Sequence, residues 1–404
     1  MTADVSMLNP DVFQRLDHHD VFARLRAEDP VHWYVDDAGR GYWCLTKHAD
    51  VQMANRDTET FTTTQGFTLI DTIDDPFSAA MMTEILPGMD GERHSRDRRI
   101  VSRGFTPKTL RLIEDHLRLK AKLIVDHVID RGHADFVTEI AAELPLQAIC
   151  ELVGVPDEDR QKIFECGNAM AGIDDPNVGD MDTGMAAAAE LMAYADALRA
   201  QRVTSPQDDI ITKLTQAAAG DEGLSDAELG MFFILLVVAG NETTRNATAH
   251  GMRALLEHPD QLAKLTADPS AERMARAVEE ILRWASPISQ FRRTATRDVE
   301  LRGKIIKAGD WVVLWYASAN RDEEAFPDPF MFDVDRTPND HVTFGGGGPH
   351  FCLGNNLARM ELRLIFTELV TRMPHMRFDG AVEMLRSNFF SGIIRMPVRW
   401  DTPI

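Results

Sequence analysis

Phe344-Gly345-Gly346-Gly347-Gly348-Pro349-His350-Phe351-Cys352-Leu353-Gly354 is the stretch on which the fold turns. Four consecutive glycines build neither a helix nor a strand, because glycine loses more backbone freedom on ordering than any other residue. They do allow tight turns, positive φ and a close approach of backbone to a flat ligand. The run leads to one cysteine and then to Leu353-Gly354-Asn355-Asn356-Leu357-Ala358-Arg359-Met360-Glu361-Leu362, which has the leucine spacing of an amphipathic helix. Cys352 is therefore expected at a loop-to-helix junction, where helix-end N–H groups favour a thiolate. A thiolate in a glycine-lined, water-poor loop suits the axial position on haem iron. A buried free cysteine acting as a small hydrophobe is the plainer alternative. Zinc fits less well, since His350 and Cys352 lack CxxC-type companions.

The chain around this loop has 404 residues, 44% hydrophobic and 26% charged, as in soluble globular proteins. A length prior of ~150 residues per domain would divide it. No Pro/Gly/Ser-rich linker, charge block or internal repeat does so, and residues 1–404 read as a single domain. Cys44, Cys150, Cys166 and Cys352 show no paired spacing, which fits a reducing cytoplasm. Met1 to Asp20 holds no apolar run long enough for a span or a signal, so no membrane anchor is expected. A formal net charge of −21 argues against nucleic acid as a partner. Arg99, Arg103, Lys108, Arg111, Arg118, Lys120 and Lys122 form a local basic cluster. It reads either as a solvated helix face or as a docking site for an acidic electron-transfer protein.

Asp11 to Ala27 is expected as a short helix, followed by a hairpin of Val31–Val35 and Tyr42–Thr46. Further strands are expected at Val299–Leu301, Trp311–Trp315 and Ile393–Val398. The remainder has helical periodicity, so the fold class is mainly α with a smaller β portion. Phe61 to Pro87 has no clean period and reads as a long loop of the functional or mobile kind. His94 and Arg98, four apart, share a helix face that is either solvated or a pair of donors for a carboxylate. Phe136 to Pro156 reads as a helix ending at Gly154, Asp174 to Asp182 as a loop, and Met185 to Gln201 as a further helix.

Phe232-Phe233-Ile234-Leu235-Leu236-Val237-Val238-Ala239-Gly240-Asn241-Glu242-Thr243-Thr244 is apolar on every side and reads as a fully buried helix. Gly240, Glu242 and Thr243 are out of character there, since buried polar groups are costly unpaired. Thr243 can bond back to a carbonyl one turn earlier, and a local kink at Gly240 would make room for a small ligand and a water. Downstream, Glu280 and Arg283 are spaced to meet on one helix face. Ser286-Pro287-Ile288-Ser289-Gln290-Phe291 breaks that helix at proline, and Asn388-Phe389-Phe390-Ser391-Gly392-Ile393-Ile394 reads as an apolar turn.

Together these motifs resemble the cytochrome P-450 monooxygenases, in order from about Trp33 to the C-terminus. The cysteine loop has the family's aromatic, glycines, His, one residue, Cys, one residue, Gly. One residue more than in the commonest form separates Phe344 from Cys352, which is similar to the actinobacterial methyl-branched-lipid and sterol side-chain hydroxylases. The resemblance implies haem b between a long central helix and the cysteine loop, with Cys352 as the iron ligand and Phe344, His350 and Gly240 as cofactor contacts. His94, Arg98 and Arg293 correspond to propionate contacts, with Arg292 a competitor for the last. Glu242 and Thr243 correspond to the acid–alcohol pair of oxygen activation, and Glu280, Arg283 and Arg336 to a structural triad. The implied substrate pocket takes in Ile70, Met82, Phe233, Val237, Val238, Ile288, Phe389 and Phe390, with the 61–87 loop as its lid.

The implied reaction is hydroxylation of an unactivated C–H bond in a branched lipid, terpenoid or sterol side chain. It uses O2 and two electrons from NAD(P)H through a ferredoxin reductase and a ferredoxin, because no flavin or iron–sulfur sequence occurs in the chain. The expected setting is the bacterial cytoplasm. Three alternatives stay open: a macrocycle-tailoring hydroxylase of the same family, a peroxide-driven haem-thiolate enzyme, and a non-catalytic haem sensor. Glu242-Thr243 counts against the peroxide-driven one.

Overall fold

Along the chain the helices are α1 (Pro10–Gln14), α2 (His18–Glu28), α3 (His48–Arg56), α4 (Gly91–Ser102), α5 (Pro107–Ile129), α6 (Glu143–Val153) and α7 (Arg160–Ala171). They continue as α8 (Met181–Thr204), α9 (Ile210–Ala218), α10 (Asp226–Glu257), α11 (Pro259–Ala267), α12 (Ala271–Ala285), α13 (Tyr316–Ala319) and α14 (Asn355–Arg372). The strands are β1 (Val31–Val35), β2 (Gly41–Leu45), β3 (Phe61–Thr62), β4 (His133–Asp135), β5 (Gln290–Ala295) and β6 (Val299–Leu301). They go on as β7 (Lys304–Ile306), β8 (Trp311–Trp315), β9 (Arg377–Phe378), β10 (Glu383–Met384), β11 (Ile393–Arg395) and β12 (Pro397–Arg399). The structure is a computed structural model and describes residues 9–36, 39–69, 82–171, 179–218 and 224–401. The elements gather into two compact units, one from 1–93, 279–352 and 384–392, the other from 94–278, 353–383 and 393–404.

The first unit is built on a five-stranded sheet of order β1-β2-β8-β5-β3. The expected hairpin forms with Trp33 opposite Trp43; β2 runs parallel to β8, and β8 antiparallel to β5. Alternation along each strand sends side chains to two faces. On one face Tyr34, Cys44, Val313 and Trp315 pack with Phe13 of α1 and Phe22 of α2. On the other Val31, Leu45, Val312 and Leu314 pack with Val51 and Ala54 of α3. The helix expected over 11–27 is two helices, because Leu16 adopts a φ of +63° and ends α1.

The second unit is helical, with a small antiparallel sheet of order β4-β12-β9. The strand expected over Ile393–Val398 is two pieces, β11 and β12, broken at Met396, whose N–H donates to Asp135 Oδ2 at 3.0 Å. Its central helix, α10, is 32 residues long, or ~48 Å at the usual rise. It starts at a capping box, with Ser225 Oγ accepting the Glu228 N–H at 3.2 Å and Glu228 accepting the Ser225 N–H at 2.7 Å. By length and composition α10 could cross a membrane, but most of its most apolar window is buried. α6 ends as expected at Gly154, which is left-handed at φ 94°, though a π turn over Val137–Ala141 replaces its first turns. α8 begins inside the expected 174–182 loop, because Asp180 and Thr183 cap each other. Residues 174–178 of that loop, and 70–81 of the expected lid, lie outside the described residues.

Candidate active site

The cysteine loop is held by its own backbone. The Cys352 N–H donates to Phe344 O at 2.9 Å and the Gly345 N–H to Val342 O at 2.7 Å. All four glycines have positive φ, between 64° and 106°, a region costly for residues with a Cβ. A Cβ on Gly348 would also lie 2.6 Å from Asn55 O, so glycine lets the loop seat on the end of α3. Cys352 is half-buried, three residues ahead of the start of α14. Phe344 is buried with its ring 6.4 Å from Phe351. His350 Nε2 and Asp90 Oδ1 are 2.8 Å apart. Asp90 further accepts from Thr62 Oγ1 at 2.7 Å and the Thr63 N–H at 2.8 Å. Burial works to raise the Asp90 carboxyl, but the hydrogen bonds from His350, Thr62 and Thr63 outweigh it and hold it below its ordinary value.

β5 brings charge into the same unit. Arg293 is buried, with Nη1 donating to Arg292 O at 2.8 Å and Nη2 to Asn55 Oδ1 at 3.0 Å. The same Asn55 oxygen accepts the Tyr316 hydroxyl at 3.0 Å. Arg293 Nε has no partner, and no carboxylate pairs with this guanidinium among the described residues. Burial pushes it below its ordinary value and pushes the Tyr316 phenol up. A buried cation without a counter-ion is costly, so a carboxylate arriving here would be strongly held. Arg292, the next residue on the strand, is committed elsewhere: its guanidinium lies 3.9 Å over the Trp311 ring and donates to Gln65 O at 2.6 Å. In the second unit His94 is buried and Arg98 half-buried on α4, with Asp97 between them bonded by Arg96 at 2.6 Å.

Midway along α10 the burial is interrupted. Leu235, Val238, Gly240 and Thr243 are half-exposed and Ala239 is exposed, while Phe232, Phe233, Leu236, Val237, Asn241 and Glu242 are buried. Such an opening, apolar and in the middle of a core helix, is room for an apolar ligand. α10 is assigned as helix throughout Asp226–Glu257. Thr243 Oγ1 donates to Ala239 O at 2.6 Å, leaving its oxygen free to accept. Glu242, though adjacent in sequence, is buried; it accepts from Asn246 Nδ2 at 2.9 Å and pairs with Arg245, which also holds Asn168 Oδ1 at 2.8 Å.

A Cβ on Gly240 would run into Ile149 Cδ1, so this glycine gives α6 room to pack. Phe233 stacks near Tyr194 of α8, with ring centroids 5.9 Å apart. Val237 lies against Gly167 of α7, its Cγ1 3.2 Å from where a Cβ would stand. Both follow the helical period away from the opening, and only Val238 of the three apolar positions stays on it. In the first unit Ile288 bridges Phe390, the Ser289 N–H donates to Phe389 O at 2.8 Å, and Phe389 meets Phe291 edge-on at 5.7 Å. Met82 is half-buried beside Gly88, and Ile70 lies outside the described residues.

The structure brings Glu280, Arg283 and Arg336 together. Arg283 Nε and Nη2 bond the Glu280 carboxylate at 2.8 and 2.7 Å, and Arg336 Nε approaches it at 3.2 Å. Arg283 also donates to Asn320 O and Pro329 O, which ties down the segment leading to the cysteine loop. Asn55, Tyr316 and Asp90 belong to the site by geometry, but nothing in their local sequence marks them.

A family model described as Cytochrome P450 matches residues 179–376. A steroid C26-monooxygenase of Mycolicibacterium smegmatis is 44% identical over 380 residues, covering 92% of this chain and 88% of its own. A methyl-branched lipid omega-hydroxylase of Mycobacterium tuberculosis is 45% identical over 390 residues, covering 94% and 90%. The chain is a cytochrome P450. A Mycobacterium marinum cytochrome P450 in complex with pseudoionone superposes on it with a TM-score of 0.92 at 37% identity, over 99% of both chains. This cytochrome P450 is a monooxygenase whose cofactor is haem b. Residues of the first unit fit that group: a half-buried cysteine in a glycine loop and a buried guanidinium whose Nε lacks the partner a propionate would supply.

Proposed function

We propose that this cytochrome P450 hydroxylates a C–H bond at or near the end of a branched apolar chain, as found in isoprenoids, methyl-branched lipids and sterol side chains. The observation that carries the reading is the opening on α10, where Leu235, Val238 and Ala239 offer no charge and no side-chain hydrogen bond. An apolar ligand gains ~25 cal/mol per Å² on burial there, whereas a charged or sugar-bearing one would lack partners. Phe67, Ile288, Phe389 and Phe390 give the first unit an apolar wall of the same character. The relatives named for steroid and methyl-branched lipid oxidation support the same class.

In this reading Cys352 is the haem ligand, and Arg293, His94 and Arg98 hold the propionates. Haem bound through a thiolate supplies the oxygen-activating chemistry. Thr243 commits its own proton to Ala239 O, so its oxygen holds a proton-bearing partner in place. Glu242, on exchanging Arg245 for water, passes protons towards that partner. Electrons come from NAD(P)H through a reductase and a ferredoxin. The acidic ferredoxin docks at Arg99, Arg103, Lys108 and Arg111, which are exposed; Arg118 and Lys122 are already paired with Glu114 and Asp126. Residues 1–404 fold as one domain, since each compact unit is assembled from three separated stretches. The setting is the bacterial cytoplasm.

The test is a spectral titration of the holoenzyme with branched lipids, terpenoids, sterols and polar macrocycles, followed by product analysis with NADH, a surrogate reductase and a ferredoxin. Binding of a branched apolar ligand and a terminally hydroxylated product are expected. Micromolar binding of macrocycles alone, or turnover with peroxide but not with NADH, would overturn the reading.

A further inference from the structure

Asn55 joins the cysteine loop to the buried guanidinium of β5. Its backbone carbonyl, in the last turn of α3, is the atom that a Cβ on Gly348 would strike, and the next residue, Arg56, donates from Nε to Gly346 O at 3.1 Å. The Asn55 side chain is buried, and its Oδ1 meets both Arg293 Nη2 and the Tyr316 hydroxyl at 3.0 Å. Arginine only donates, so the atom facing it is the amide oxygen. The other amide atom, Nδ2, is therefore a donor. Like Arg293 Nε it is buried with no partner among the described residues, and an unpaired buried donor is costly. Each of these two nitrogens shares a carbon with an atom of the Arg293–Asn55 hydrogen bond, so one acceptor group with two oxygens can serve both. Asp90 acts on Arg293 electrostatically, but its oxygens are engaged by His350, Thr62 and Thr63.

We propose that Asn55 is an anion-binding residue, whose Nδ2 donates to the same haem propionate that Arg293 holds. The inference rests on the propionate reading of Arg293. A water would satisfy the two donors but leave the guanidinium charge unmatched, which favours a carboxylate. The amide adds a donor without adding to the buried charge, while its oxygen fixes the guanidinium that carries that charge.

Haem transfer from the holoenzyme to excess apomyoglobin tests the proposal, with the propionate bending band in the resonance Raman spectrum as a second readout. Asn55→Asp keeps an oxygen for Arg293 and Tyr316 but sets an acceptor where Nδ2 donated. Haem loss should quicken at least ~tenfold, the scale of a hydrogen bond to a charged group, and the band should shift. The apoprotein of this variant should melt higher, because Arg293 gains a counter-ion, and that shows the fold is kept. Asn55→Leu removes the donor without adding charge and should shift the band as well. Wild-type haem retention in Asn55→Asp, or an unmoved band in either variant, overturns the proposal and leaves a water on Nδ2. Wild-type haem retention in Arg293→Met overturns instead the propionate reading beneath it.

Discussion

Arg293 is a buried cation with which no carboxylate among the described residues pairs. Its guanidinium is fully buried, Asn55 and the Arg292 carbonyl satisfy two of its nitrogens, and the third has no partner. Arg293→Met should therefore raise the melting temperature of the apoprotein while lowering the retention of haem; a variant that loses neither or both would argue against a propionate contact. Thr243→Ala should bind haem and substrate normally but divert reducing equivalents to peroxide, read as NADH consumed in excess of product. Tight coupling in that variant would remove Thr243 from the proton path. Glu361 in α14 is a third residue with a pH signature. It is buried, its Oε2 has no partner, and burial pushes its carboxyl well above the ordinary range. Folding thus takes up a proton, and stability falls as pH rises above the unfolded carboxyl's value of ~4.3. Glu361→Gln should raise the melting temperature at neutral pH and change little at pH ~4; an equal effect at both would contradict the assignment. Cys352 and Thr243 were conspicuous in the sequence because their neighbours carry a pattern. Asn55 and Tyr316 were not, because their partners lie more than 200 residues away along the chain.

Among the elements, α10 shows both what periodicity gives and where it stops. The apolar run announces a buried helix, but not which side is open; the period assigns Phe233 and Val237 to a face only once α7 and α8 are in place. Gly240 is expected beside the cofactor, and in the structure a Cβ there would meet Ile149. Gly240→Ala should cost ~1 kcal/mol net, an overpacking penalty of ~1–3 kcal/mol partly offset by ~1 kcal/mol of helix propensity. In an Ile149→Ala background that cost should vanish, as read by denaturant midpoints in a double-mutant cycle; an unchanged cost would show that the clash is not with Ile149. The β1–β2 hairpin and the end of α6 at Gly154 came from turn and cap chemistry that the sequence displays. The break at Leu16 did not, because leucine at positive φ is imposed by packing rather than by preference.

At the scale of the whole molecule, short motifs do structural work that their spacing alone understates. A Glu-x-x-Arg pair is common on helix surfaces, yet Glu280 and Arg283 are fully buried and joined by Arg336 from 53 residues further on. Glu280→Gln leaves buried guanidinium charge uncompensated, at a cost of ~3–5 kcal/mol. Circular dichroism melts and haem content should both fall, and a variant with wild-type stability would show that the triad is dispensable. The interleaving of two compact units was invisible in composition, because their borders fall at no linker and are set by contacts between distant stretches. The fold class and the cofactor were legible because the cysteine loop, the α10 run and the Glu-x-x-Arg motif each concentrate their signal in a few consecutive residues. The most direct measurement is the carbon monoxide difference spectrum of reduced Cys352→Ala reconstituted with haem. The thiolate-type band should be present in the wild type and absent in the variant, and its persistence in Cys352→Ala would contradict the account.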